Sequence, residues 1–213
     1  MKAMTSILTN NGAMVALQTL NSINMNLENT QNAISTGKDV ATAKDNSAIW
    51  AISKVMESDV AGFNAVGDSL ALGESTVAVA TAGAEQITEL LREMKEKVTT
   101  ATGENVDHNK IKAEVDELKK QITSIIKGSQ FNGANLLADT IDGTATEMGI
   151  LASLDRVGAG GTVTSVDITI AAQGFEASLN LGTSLTTITD TATAASALTE
   201  IEDYLQTAIS GAA

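Results

Sequence analysis

Between Ile49 and Val98, apolar or small residues recur in alternating steps of three and four. They fall at Ile49, Ile52, Met56, Phe63, Val66, Leu70, Val77, Ala80, Ala84, Ile87, Leu91, Met94 and Val98, and only Asp59 and Gly73 interrupt the series. This spacing draws one narrow apolar stripe along a helix, the seam of a coiled coil rather than the broad face of a globular helix. At ~1.5 Å rise per residue the segment would extend roughly 75 Å. An average globular helix has only ~10–14 residues. A helix this long cannot cover its seam inside one small core, so its role is geometric: to extend, pack side by side and assemble.

The composition agrees. Proline is absent from the 213 residues, and proline is what most often breaks a helix interior. Only 2% of residues are aromatic, too few to line the apolar pocket that small ligands usually occupy. There is no cysteine, which excludes disulfides, thiolate metal sites and a cysteine nucleophile together. A net charge of −13 argues against nucleic acid, whose phosphates need a basic face. From Thr140 to Ala213 there are nine acidic residues against Arg156 alone. No run approaches the ~20 apolar residues of a membrane span. Residues 1–20 lack the apolar core of a cleaved signal peptide.

Along the chain, residues 5–36 read as a first helix. Its stripe is Leu20, Ile23, Leu27, Thr30 and Ile34, preceded by Ile7, Met14 and Leu17, with Gly37 as its terminator. Seven asparagines between Asn10 and Asn32 lower its helicity, so ordering against a partner is expected. That stripe either packs inside a bundle of this chain or is a seam for neighbouring subunits, and its thinness favours the second. Lys38–Asn46 is a polar connection to the long second helix. Asp107 or Asn109 caps a third helix with the stripe Ile111, Val115, Leu118, Ile122 and Ile125. The short link between helices two and three predicts an antiparallel hairpin. Residues 129–137, with Gly128 before them and Gly133 inside, predict a compact turn.

Alternation then replaces the helical period. Val166, Ile168 and Ile170 share a strand face, and Glu176–Leu181 offers a second short strand with Leu179 and Leu181 on one side. Helical period returns from Ala192 through Leu198, Ile201, Leu205, Ala208 and Ile209. The fold expected is mainly α with a small β-rich insertion, a long antiparallel helical rod or coiled-coil bundle. Four parts are expected: residues 1–46, a helix and connector; 47–138, a helical hairpin; 139–191, the β-rich module; and 192–213, a returning helix.

Chemistry finds no foothold. The only histidine, His108, has no neighbouring ligand type but carboxylates and reads as a solvated loop residue near a helix start. Glu114, Asp116 and Glu117 interleave with Lys110, Lys112, Lys119 and Lys120 as a solvated helix face rather than the paired carboxylates of a hydrolase. Gly158, Gly160 and Gly161 resemble a glycine-rich loop, but no lysine follows as in a phosphate-binding loop, so a flexible linker is expected. No catalytic, cofactor or metal residues are assigned, and an enzyme is not expected.

Three ordered motifs resemble bacterial flagellin, especially the form found in alphaproteobacteria. They are Ser6–Asn11 with Ala13-Met14 and Ala16–Asn21; Ile34–Lys38 followed by Ala43–Asn46 and Ala48; and Ser129–Gly133 with Leu136-Leu137. The resemblance covers about residues 5–138, and Leu198–Ala213 is similar to the start of the family's returning C-terminal helix. It implies a structural subunit of an extracellular flagellar filament, a homopolymer exported without a cleaved signal through the flagellar type III apparatus. It implies, too, an export chaperone and cap and junction proteins as partners, with no membrane or nucleic-acid partner. On this reading Leu20, Ile23, Leu27 and Ile34 form the assembly seam, and Phe131, Asn132 and Gly133 the turn after the third helix. Leu90, Arg92 and Glu93 sit where many flagellins face host receptors; an arginine often found there is Leu90, which implies weak receptor activation. The family continues through a longer C-terminal helix and an apolar end, and the chain given stops within the first turns of that helix, so polymerisation is expected to need the remainder. Other readings are the hook–filament junction protein and a chemoreceptor-like signalling rod, against which the β-rich insertion counts.

Overall fold

The computed structural model describes residues 10–156, 162–179, 181 and 185–212. The glycine-rich stretch at 158–161 and the expected first turn of helix one, residues 5–9, lie outside the described residues. In order come α1 (Asn11–Thr36), α2 (Ser47–Ala101), α3 (His108–Gly128), β1 (Glu147–Arg156), β2 (Val163–Ala171), α4 (Phe175–Leu179) and α5 (Thr191–Ala212). The chain divides into two compact units, Met1–Gly62 and Phe63–Ala213.

In the second unit, α2 and α3 form the expected hairpin. The Asp107 carboxylate caps α3 by accepting from the Lys110 amide at 3.2 Å, satisfying an N–H that the first turn leaves orphaned. His108 is not a solvated loop residue: it opens α3, half-buried, with Nε2 2.9 Å from the Ala101 carbonyl at the end of α2. Farther along, Lys97 pairs with Glu114 at 3.0 Å and Ser129 lies against Gly83. This sequence of neighbours defines two antiparallel helices. α5 pairs with α2 through Lys95–Glu202 at 2.9 Å and buries Ala194, Ala197, Ile201, Tyr204 and Ala208.

The core beneath them joins Ile87, Leu91, Met94 and Val98 of α2 to Val115, Leu118, Ile122 and Ile126 of α3 and to Ile201. The seam expected on α2 is therefore covered at Val66 and from Ala80 onward, whereas Ile49, Ile52, Met56 and Phe63 stay exposed. On α5 the expected Ile201 and Ala208 are buried, but the rest of the expected face is not. Leu198 and Leu205 only flank the core, Ile209 is exposed, and three alanines occupy the seam.

β1 and β2 are antiparallel, with Glu147 opposite Ala171 and Arg156 opposite Val163. A register shift between Leu151 and Ser153 leaves Ala152 as a bulge, an extra residue on β1 that β2 does not match. The sheet is fixed to α2 at two points. Leu151 donates its amide to the Ser69 hydroxyl at 3.0 Å, and Ile150 covers Gly73, where a β-carbon would come within 2.2 Å of the Ile150 Cδ1. Gly73, an interruption of the apolar series, is thus a buried seat for the sheet.

The segment Glu176–Leu181 is not a strand. It contains α4, whose Phe175 and Leu179 are buried one turn apart. The Asp139 carboxylate accepts from the Ala177 amide at 2.9 Å, and Gly174 adopts φ +60° just before the helix. A remote carboxylate and one left-handed glycine favour a helical turn where alternation alone reads as extended.

Candidate assembly surfaces

α1 begins with Asn10 as its cap, accepting from the Ala13 amide at 3.1 Å, and ends at Gly37 with φ +66°. No residue of α1 is buried. The four seam residues are exposed: Leu20 by 54%, Ile23 by 56%, Leu27 by 54% and Ile34 by 78%. Their three-four spacing aligns them as one apolar stripe on a helix whose other positions are mostly polar. Apolar area left in water is unfavourable by about 25 cal/mol per Å² relative to burial, so covering this stripe would be favourable.

The connector after α1 is built. The Asp45 carboxylate accepts from the Thr42 amide at 2.9 Å, the Ala41 amide at 3.2 Å and the Thr42 hydroxyl at 3.2 Å; the Thr42 amide leads in holding its carboxyl below the usual range. Asn46 then caps α2 through the Ile49 amide at 3.1 Å. Glu57 receives Lys38 and Lys54, each at 2.6 Å. Hydrogen bonds from Lys38 first, then Lys54, pull the Glu57 carboxyl down to about 2. The Ala43–Asn46 motif therefore owes its composition to loop closure and capping.

The Phe131–Ala134 turn is equally specific. Phe131 and Ala134 exchange both backbone hydrogen bonds at 2.9 Å, and Asn132 and Gly133 adopt φ +50° and +84°. Positive φ at both central positions favours Asn-Gly. Asn135, which the sequence did not single out, secures the turn: its side-chain amide donates to the Ile126 carbonyl at 2.7 Å. Its Oδ1 accepts from Leu137 at 2.9 Å and Ala138 at 3.2 Å.

At the expected receptor-facing position, Leu90 is half-buried against the core. Arg92 and Glu93 are exposed, and Arg92 lies 3.4 Å from Glu89. These three residues are on α2 in the second unit, whereas the α1 stripe belongs to the first. Among the described residues no group of histidine and carboxylate side chains is placed to hold a metal ion, and no helix is long and apolar enough to cross a membrane.

The bacterial flagellin N-terminal helical region matches residues 7–142. This chain belongs to the flagellin family. Flagellin FljM of Caulobacter vibrioides is 39% identical over 209 residues, covering 97% of this chain and 72% of that one. Flagellin FljK of the same organism is 40% identical with the same coverage. Flagellin A of Rhizobium meliloti is 43% identical over 170 residues, 79% of this chain and 43% of that one. Among solved structures, Bacillus cereus flagellin superposes with a TM-score of 0.52 at 23% identity, over 68% of this chain and 77% of that chain, a likeness of fold. A flagellin is a structural protein, a subunit of the flagellar filament. The junction-protein and signalling-rod readings are not favoured by these relatives.

Proposed function

We propose that this flagellin assembles through the α1 stripe, with Leu20, Ile23, Leu27 and Ile34 covered by other copies of the chain and by returning helix in the filament. The observation that carries this reading is a 26-residue, well-capped helix with no buried residue, in a chain whose core residues all belong to the second unit. A helix in water gains little from propensity alone and is normally held by packing of its apolar face. Residues 1–46 then act as the inner assembly segment, 47–138 as the rod, 139–191 as an outer module and 192–213 as the start of the returning helix. Phe131, Asn132 and Gly133 reverse the chain after α3, and Leu90, Arg92 and Glu93 form the receptor-facing patch. The filament is extracellular; the chain reaches it by the flagellar export apparatus with an export chaperone, and meets cap and junction proteins at the filament ends.

The test is substitution at the stripe. Leu27→Glu and Ile34→Glu place a charge where a neighbour must bury apolar area. With the family's full C-terminal helix fused to the chain, each should abolish filaments in a flagellin-deficient alphaproteobacterium, seen by electron microscopy, while the helical circular dichroism of the purified protein stays at the level of the unsubstituted chain. Filament yields unchanged by both substitutions would remove the stripe from the interface.

A further inference from the structure

The search for surfaces that the α1 stripe does not explain leads to two charged ridges on the helical hairpin. On α2, Glu85, Glu89, Glu93 and Glu96 are all exposed. At 100° per residue they lie opposite the buried series Ile87, Leu91, Met94 and Val98, with Arg92 as the one cation among them. On α3, Lys112, Lys119, Lys120 and Lys127 run along one side of the helix, against two carboxylates. Asp116 is shared by Lys112 at 2.6 Å and Lys119 at 3.6 Å, and Glu117 is 3.3 Å from Lys120. These α3 lysines stand out in a chain with thirteen basic and twenty-six acidic residues.

The ridges match in spacing. Glu85 and Glu93 are eight residues apart, as are Lys119 and Lys127 and also Lys112 and Lys120, about 12 Å of helix. Within one chain the ridges do not meet. The ion pair joining α2 to α3 is Lys97–Glu114, drawn from neither ridge and of the opposite polarity. The hairpin contacts, Ala101 at His108, Lys97 at Glu114 and Gly83 at Ser129, put Glu93 level with Lys119 and Glu85 level with Lys127.

We infer that the acidic ridge of α2 in one copy docks on the basic ridge of α3 in the next. The inference rests on the reading of the chain as a filament subunit and names a second place where copies touch. Like ridges repel, so the contact sets an acidic ridge against a basic one. Made head to tail, such a contact repeats from copy to copy instead of closing as a two-fold dimer. The ion pairs at the surface supply direction and register more than affinity, which suits a lattice whose adhesion comes from apolar stripes elsewhere. Partner choice follows from the same charges. A chain of net charge −13 is repelled by copies of itself at most orientations, and this pairing is one that brings a positive patch to a negative one.

The test mixes ordinary and ¹⁵N-labelled protein, treats it with a carbodiimide that joins lysine to carboxylate, and identifies linked peptides by mass spectrometry. Light–heavy links are expected from Lys119, Lys120 or Lys127 to Glu85, Glu89, Glu93 or Glu96. A chain carrying Glu85→Lys, Glu89→Lys and Glu93→Lys should lose these links by about tenfold, as should one carrying Lys120→Glu and Lys127→Glu. Mixing the two altered chains should restore them between unlike chains, because each then offers what the other lacks. That rescue also shows that both variants are folded. Light–heavy links that avoid the ridges, or no rescue on mixing, overturn the inference. Electron microscopy of the same samples reads assembly separately. Filaments without ridge links refute the docking and leave the filament reading intact, whereas ridge links support the docking whether or not filaments form.

Discussion

Gly73 offers the sharpest test of how the sheet is held. A β-carbon there would sit 2.2 Å from Ile150 Cδ1, 2.9 Å from Cγ1 and 3.1 Å from Cγ2. All three distances are inside ordinary contact, and Ile150 is buried, so the side chain cannot simply swing into solvent. Overpacking of this kind costs about 1–3 kcal/mol. Alanine in a helix interior gains about 1 kcal/mol over glycine. Gly73→Ala should therefore destabilise the second unit by about 0–2 kcal/mol, a fall of up to roughly 8 °C in Tm for a protein of this size. Ile150→Ala alone removes the obstructing atoms and costs about 2–5 kcal/mol as a truncation.

In the Ile150→Ala background the obstruction is gone and only the helix preference remains. Gly73→Ala should then stabilise, by up to about 1 kcal/mol. The effect of one substitution reverses sign with the identity of the residue above it, which a double-mutant cycle measures directly. Denaturant unfolding followed by far-ultraviolet circular dichroism is the assay. Trp50 fluorescence is unsuitable, since that residue lies in the first unit. Destabilisation by Gly73→Ala of equal size in both backgrounds would refute the docking of Ile150 on Gly73.

Asn135→Ala removes a donor to the half-buried end of α3 and an acceptor for two amides; a loss of about 1–3 kcal/mol in the same unfolding assay is expected, and none would mean that water replaces the side chain without penalty. Glu57 titrates at about 2 in the folded chain. Because its folded pKa is depressed, its contribution is present above the unfolded value near 4.5 and is lost as pH falls towards 2. The Glu57 side-chain carboxyl carbon, followed by NMR, should show that low midpoint, returning to an ordinary carboxylate value when Lys38 and Lys54 are both replaced by Met.

Helices were legible in this sequence because a three-four apolar period and a capping residue are local properties, as Asp107 and Gly37 show. The turn at Asn132-Gly133 was legible for the same reason: two positive φ angles select those residues wherever they occur. What the sequence obscured was set by groups distant along the chain. α4 depends on Asp139, thirty-eight residues before the amide it accepts from, so the strand-like pattern of Leu179 and Leu181 carried no sign of it. β2 keeps Val166 and Ile168 each 51% exposed, and only Ile170 of its expected apolar face packs against the core, because most of that face has no element over it. Gly73 illustrates the general case. In a list of apolar positions it is a defect, and only the Ile150 side chain, contributed by another element, turns it into a fitted surface. The α1 stripe is the converse, with every local requirement for a packed helix and no buried residue among those of α1. Local pattern specifies such a helix, while what covers its apolar face is not written in that pattern.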